Sequence, residues 1–162
     1  MAGRILVGVR SAQQYMEMYR AAVQAAVPDE QVIAVGIVAR PGNTKSMLFS
    51  QLSPAVGMIM RSGAKKRAGG FPHSALMAVT PTRLVSFEHR PKGRSVKLRR
   101  KVAEWHRGAV YVQPGQAGTM GNQLYFHLAD GTTIELEGVR SFGQYDHMND
   151  AFYASLGILV PA

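Results

Sequence analysis

Five histidines, His73, His89, His106, His127 and His147, are scattered singly along a chain of 162 residues that has no cysteine. Without thiols there is no disulfide, no thiol nucleophile and no cysteine-based zinc site. The only close grouping of acids with a histidine is Asp146, His147 and Asp150. On a helix Asp146 and Asp150 stand one turn apart with His147 turned away, so a metal would need ligands from elsewhere and the group reads as a solvated helix face. Gly115, Gly118 and Gly121 lack the lysine and downstream helix of a phosphate-cradling loop and read as a hairpin turn. Spacing alone proposes no Ser-His-Asp set and no pair of carboxylates. The residue types point to a binding protein, not an enzyme, with no cofactor and no metal site expected.

Charge is the stronger signal. The net charge is +9, and between Arg61 and Arg107 thirteen Lys and Arg stand against only two acids, Glu88 and Glu104. The rest of the chain is slightly acidic, so the whole basic excess sits in one central segment. Such a field favours an anionic partner: a phospholipid surface, an acidic protein or a nucleic acid. It also fits a solvated face that aids solubility. A hydrophobic content of 46% and 18% charged residues describe a soluble globular chain, long enough for one domain. The apolar run Ile5 to Val9 is too short for a secretion signal, and Met47 to Met60, broken by Ser50, Gln51, Ser53, Pro54 and Gly57, is too short to span a bilayer.

The elements that must position these residues follow from periodicity. Ser11 and Gln14 have capping-box spacing, and Tyr15, Tyr19, Ala22, Val23 and Ala26 form one stripe of a helix over 12–27 that Pro28 stops. This helix is expected to dock on the body of the domain or on a second copy. Seven strands follow: 31–39, 75–80, 83–89, 102–105, 109–112, 124–128 and 132–137, the last two flanking the turn Asp130-Gly131. A closing helix over 141–156 carries Phe142, Tyr145, Met148, Phe152 and Leu156 on one face, with Gly157 placed to end it.

The stretch Ala78-Val79-Thr80-Pro81-Thr82-Arg83-Leu84-Val85-Ser86-Phe87 resembles the strand-turn-strand signature of bacterial pleckstrin-homology-like and GRAM-like domains. The start Asp29-Glu30-Gln31-Val32-Ile33, the Asp130-Gly131 hairpin and the closing helix with Asn149 and Phe152 are similar to the same family, over about residues 29–157. The resemblance implies a mainly β (α+β) fold: a seven-stranded barrel or sandwich capped by a C-terminal helix, here with an extra N-terminal helix. It divides the chain into an extension, 1–28, and a domain, 29–162, with an inserted segment over 41–74. The family commonly joins its first two strands by a short loop, and a connection this long usually carries structure or function of its own.

Two surfaces stand out. In the insertion Leu48, Phe49, Leu52, Val56, Ile59 and Met60 recur at helical spacing, with Met58 beside them, and Ser53-Pro54 among them looks like an N-cap followed by proline. They are candidates for a protein interface or a self-association contact. Lys65, Lys66 and Arg67 follow, and a second basic run holds Lys92, Arg94, Lys97, Arg99, Arg100 and Lys101 in what reads as the connection between strands three and four. The resemblance implies that both clusters approach the same open end, where related domains hold phosphoinositide headgroups, although the spaced Lys and Arg pattern of those binders is absent. The leading expectation is a non-catalytic scaffolding module that binds a protein partner or itself. The alternative is peripheral binding to an anionic membrane through the two basic clusters, and sequence-independent nucleic-acid binding comes third. The expected location is cytoplasmic, including the inner face of the membrane.

Overall fold

The computed structural model describes residues 12–41, 66–92, 95–117, 121–139 and 144–157. Helix α1 (Ala12–Ala26) is followed by strands β1 (Ala34–Ala39), β2 (Ser74–Val79), β3 (Arg83–Lys92) and β4 (Ser95–His106). A 3-10 turn (Arg107–Ala109) leads into β5 (Val110–Ala117), β6 (Gly121–Leu128), β7 (Thr133–Val139) and helix α2 (Gln144–Ser155). The strands make one antiparallel sheet in the order β4-β3-β2-β1-β7-β6-β5. The seven strands and both helices are those expected in number and order, but β4 begins at Ser95 where 102 was expected and β5 runs on to Ala117 where 112 was expected. Ser11, the expected capping residue, lies outside the described residues.

β1 and β2 read as unbroken apolar runs because both faces of this half of the sheet are covered. On one face the sheet folds over itself: Met77, Val79 and Leu84 meet Leu124, Phe126, Ile134 and Leu136 of the other half in a common core. On the other face α1 lays Tyr19, Val23 and Val27 onto Val35, Ile37, Leu76, Ala78, Val85 and Phe87. The register explains the division, since Ile37, Leu76 and Phe87 form one cross-strand row and Val35, Ala78 and Val85 the next. The helix expected to dock on the domain or on a second copy therefore buries Tyr19 and Val23 of its stripe on its own sheet, while Tyr15 and Ala22 are half-buried and Ala26 is exposed.

The sheet is not a closed barrel, for β4 and β5 remain edges. A plug of side chains fills the seam. Trp105 stands between Phe71 and Phe126, with ring centroids 5.9 and 5.6 Å apart. Phe71 and Ala68, both buried, come from the last part of the 41–74 insertion, so this part belongs to the core.

α2 closes the corner where β1 leaves β7. β1 pairs with β2 at all six residues but with β7 only through Val38 and Ala39. Just before that pair, the buried Asn149 side chain takes the place of a strand. Its Oδ1 accepts from the Ile37 N–H at 2.9 Å, and its Nδ2 donates to the Ile37 carbonyl at 3.3 Å. Two glycines seat the helix: a Cβ on Gly36 would lie 2.5 Å from the Phe152 ring, and one on Gly138 would collide with the Tyr153 hydroxyl.

The Thr80 to Arg83 turn, whose residues carry the family resemblance, acts as a staple. The Thr80 hydroxyl accepts from the Arg83 N–H at 3.0 Å. The Thr82 hydroxyl donates to Glu30, and Arg83 bridges Asp29 (2.7 Å), Glu30 (3.4 Å) and Glu104. Gln24 completes the connection from α1, donating to the carbonyls of Val27 and Glu30 and accepting from the Val32 N–H, all at 2.8–2.9 Å.

Replacing Asn149 by alanine would leave a buried donor and acceptor on Ile37 without partners, at a cost of about 2–4 kcal/mol. Urea denaturation should show that loss, and an unchanged midpoint would contradict the strand-substitute role. The hydroxyls of Thr80 and Thr82, with Arg83 close by, hold the Glu30 carboxyl at about 2 instead of 4.5. A carboxyl depressed in the folded state stabilises fully above its unfolded pKa and loses that contribution as pH falls toward the folded value. Thermal melts should therefore show Glu30→Gln less stable than wild type at neutral pH, with the gap narrowing between pH 4.5 and 2.

Candidate functional site

The basic run expected to join strands three and four instead forms the arms of a hairpin. β3 pairs with β2 as far as Glu88, opposite Ala75, then continues to Lys92 and is answered by β4 from Ser95. Only alternate residues of this extension need be apolar, and Val96 and Leu98 supply them by packing beside the α1 cluster. A strand built on that alternation is easily mistaken for a charged loop. Antiparallel pairing puts this hairpin at the same end of the sheet half as the β1–β2 connection. Two register shifts, between Ser86 and Phe87 and between Phe87 and His89, twist β4 where the arms leave the body.

Both acids of the basic segment are engaged by internal cations. Glu88 pairs with Arg100 at 3.2 Å, while Glu104 takes Arg83 and, at 2.7 Å, Lys101. Lys97 and Arg99 are exposed and have no ion pair among the described residues. In the register Arg90 stands opposite Lys97.

The other expected residues divide. Lys66 is exposed, but Arg67 turns to Glu135 on β7 at 3.4 Å, away from the hairpin. Among the described residues no hydrogen bond or ion pair joins the two basic clusters. Lys92 lies on β3 opposite Ser95. Lys65, Arg94 and the interface candidates Leu48, Phe49, Leu52, Val56, Met58, Ile59 and Met60 lie outside the described residues.

A second surface was not singled out by sequence reasoning. A groove of about 400 Å³ opens between edge strand β5 and the end of α2, lined by Leu84, Val110, Val112, Pro114 and Leu156, with Arg107 among them. On the outer face of the same strand Tyr111 is 66% exposed. It stacks on His127 at 5.9 Å, with Tyr125 on the same imidazole at 6.5 Å. His127 is held by Thr133 and Gln113, both at 3.0 Å. The available signal was the alternation Val110-Tyr111-Val112-Gln113 without a single charge. Comparison with family models, with curated proteins and with solved structures finds no match for this chain.

Proposed function

We propose that the chain is a non-catalytic binding module of the pleckstrin-homology-like kind, recruited to an anionic phospholipid surface through its β3–β4 hairpin. The single observation that carries this reading is the internal pairing of Glu88 and Glu104, which leaves Lys97 and Arg99 unneutralised on a projecting hairpin. The strand order, with a four-strand meander followed by β5 to β7 and a closing helix, supports the fold assignment. Attraction of cations to an anionic leaflet contributes about 1 kcal/mol per Lys or Arg near the surface and decays within a Debye length. Among the described residues no helix is long and apolar enough to cross a membrane, so the contact proposed is peripheral. Burial of Tyr19 and Val23 of α1 weighs against self-association through that helix, and the protein-partner reading gains a separate support at β5.

Co-sedimentation with vesicles of phosphatidylserine and phosphatidylcholine at low ionic strength tests the proposal. Binding should require the anionic lipid and weaken as salt rises. Replacing Lys97 and Arg99 together by glutamine should weaken it about 30-fold, the equivalent of ~2 kcal/mol. Equal binding to neutral vesicles, no binding at low salt, or preferential capture by single-stranded DNA would overturn the membrane reading.

A further inference from the structure

The two edges of the sheet are built differently. β4 carries Lys97, Arg99, Arg100 and Lys101 and two register shifts, devices that keep a sheet edge from pairing with another strand. β5, Val110 to Ala117, has no charge at all, and only Pro114 interrupts its donors. Its free hydrogen-bonding groups can be assigned. The Ala129 N–H donates to the Ala109 carbonyl at 3.0 Å, and the Leu128 N–H points instead to Thr132 at 2.8 Å. With Val110 opposite Leu128, residues 111 and 113 therefore bond to β6, while Val110, Val112 and Pro114 turn their backbone groups outward. Pro114 thus occupies a position where its missing N–H breaks no bond within the sheet.

Beside these outward groups lies the groove. Its apolar walls, Leu84, Val110, Val112 and Leu156, suit one large aliphatic or aromatic side chain. Its cation, Arg107, is half-buried and donates to two neutral acceptors, the carbonyls of Thr80 at 3.3 Å and Ser155 at 3.1 Å. Among the described residues no acid pairs with it. A partly desolvated guanidinium with donors to spare favours a carboxylate, whose charge-assisted hydrogen bonds are about twice as strong as neutral ones. A second copy of the chain is a poor complement, since each brings a net charge of +9.

We propose that β5 receives an extended peptide of another protein as an added strand, seating an apolar side chain in the groove and, two residues away on the same face, a carboxylate on Arg107. Main-chain bonds to Val110 and Val112 supply affinity, and the groove with its cation supplies selectivity. This site is separate from the basic hairpin and does not depend on membrane binding.

The test uses the full chain, labelled with nitrogen-15, and a blocked octapeptide of alternating threonine and valine in which a leucine and an aspartate stand two residues apart, so that both side chains lie on one face of the strand. Its asparagine twin is the control. The Val110 and Val112 amide signals should shift saturably and gain protection from exchange. The asparagine peptide should bind at least about tenfold more weakly, as loss of one charged hydrogen bond predicts. Val112→Pro, which removes an outward donor and leaves the pairing with β6 intact, should abolish binding while the amide signals of β1 to β3 stay in place. Vesicle binding by that variant should be unchanged, which separates this site from the hairpin. The proposal is overturned by an absence of saturable shifts at millimolar peptide or by equal affinity for the two peptides. It is also overturned if the Val110 and Val112 amides are already protected without peptide, whether at all dilutions, as cover by the chain's own residues would give, or only at high concentration, as a second copy would give.

Discussion

The side-chain amide of Asn149 does the work of a missing strand. β1 needs a partner on each side, and on the β7 side only its last two residues have one; at Ile37 the sheet opens so that its halves can fold onto each other. A buried peptide group without partners costs about 1–3 kcal/mol, so the opening is tolerable only where something polar fills it. An amide offers one acceptor and one donor at the spacing of a peptide unit, which hydroxyl or carboxylate side chains do not. Because that amide sits on α2, the opening of the sheet and the docking of the helix form one structural event. The seating of Phe152 on Gly36 and of Tyr153 at Gly138 then sets how deep the helix lies.

From this corner follows the division of the molecule into surfaces. α2 occupies the mouth of the sandwich and α1 the outside of the β1–β4 half, and Tyr19, Val23, Phe152 and Tyr153 are buried there. The sheet edges and the β3–β4 hairpin remain. Arg107 joins the two regions structurally, since it ties the end of α2 to Thr80 while lining the groove beside β5. Arg83 performs a similar office on the other side, drawing Asp29, Glu30 and Glu104, three of the chain's ten acids, to one guanidinium.

The concentration of positive charge is therefore not a property of composition alone. Acids are present in the basic segment, but Glu88 and Glu104 neutralise cations of the sheet body, and the surplus is carried outward by the hairpin. An edge strand without charge at the opposite end of the sheet order is the complement of that arrangement. One edge is defended against pairing and the other is open to it.

Much of the architecture was legible in the residues themselves. Seven strands, the Asp130-Gly131 turn and two helices follow from periodicity and turn chemistry, because hydrophobic alternation and local backbone preference act within a few residues. The continuous apolar character of Ala34 to Ala39 already implied a strand covered on both sides. What covers it was not legible, since Tyr19 and Val23 could have met a second chain as well as their own sheet. Nor could spacing reveal that β3 runs on to Lys92 and that β4 begins at Ser95, because Val96 and Leu98 show their purpose only beside α1. Sequence alone established that thiol and cysteine-metal chemistry are absent and that the basic excess lies between Arg61 and Arg107. Tertiary structure alone decided which of those cations are paired, that Arg67 belongs to Glu135, and that Val110, Val112 and Arg107 share a groove. Those outcomes depend on contacts between residues far apart in the chain, and no local pattern encodes such distances.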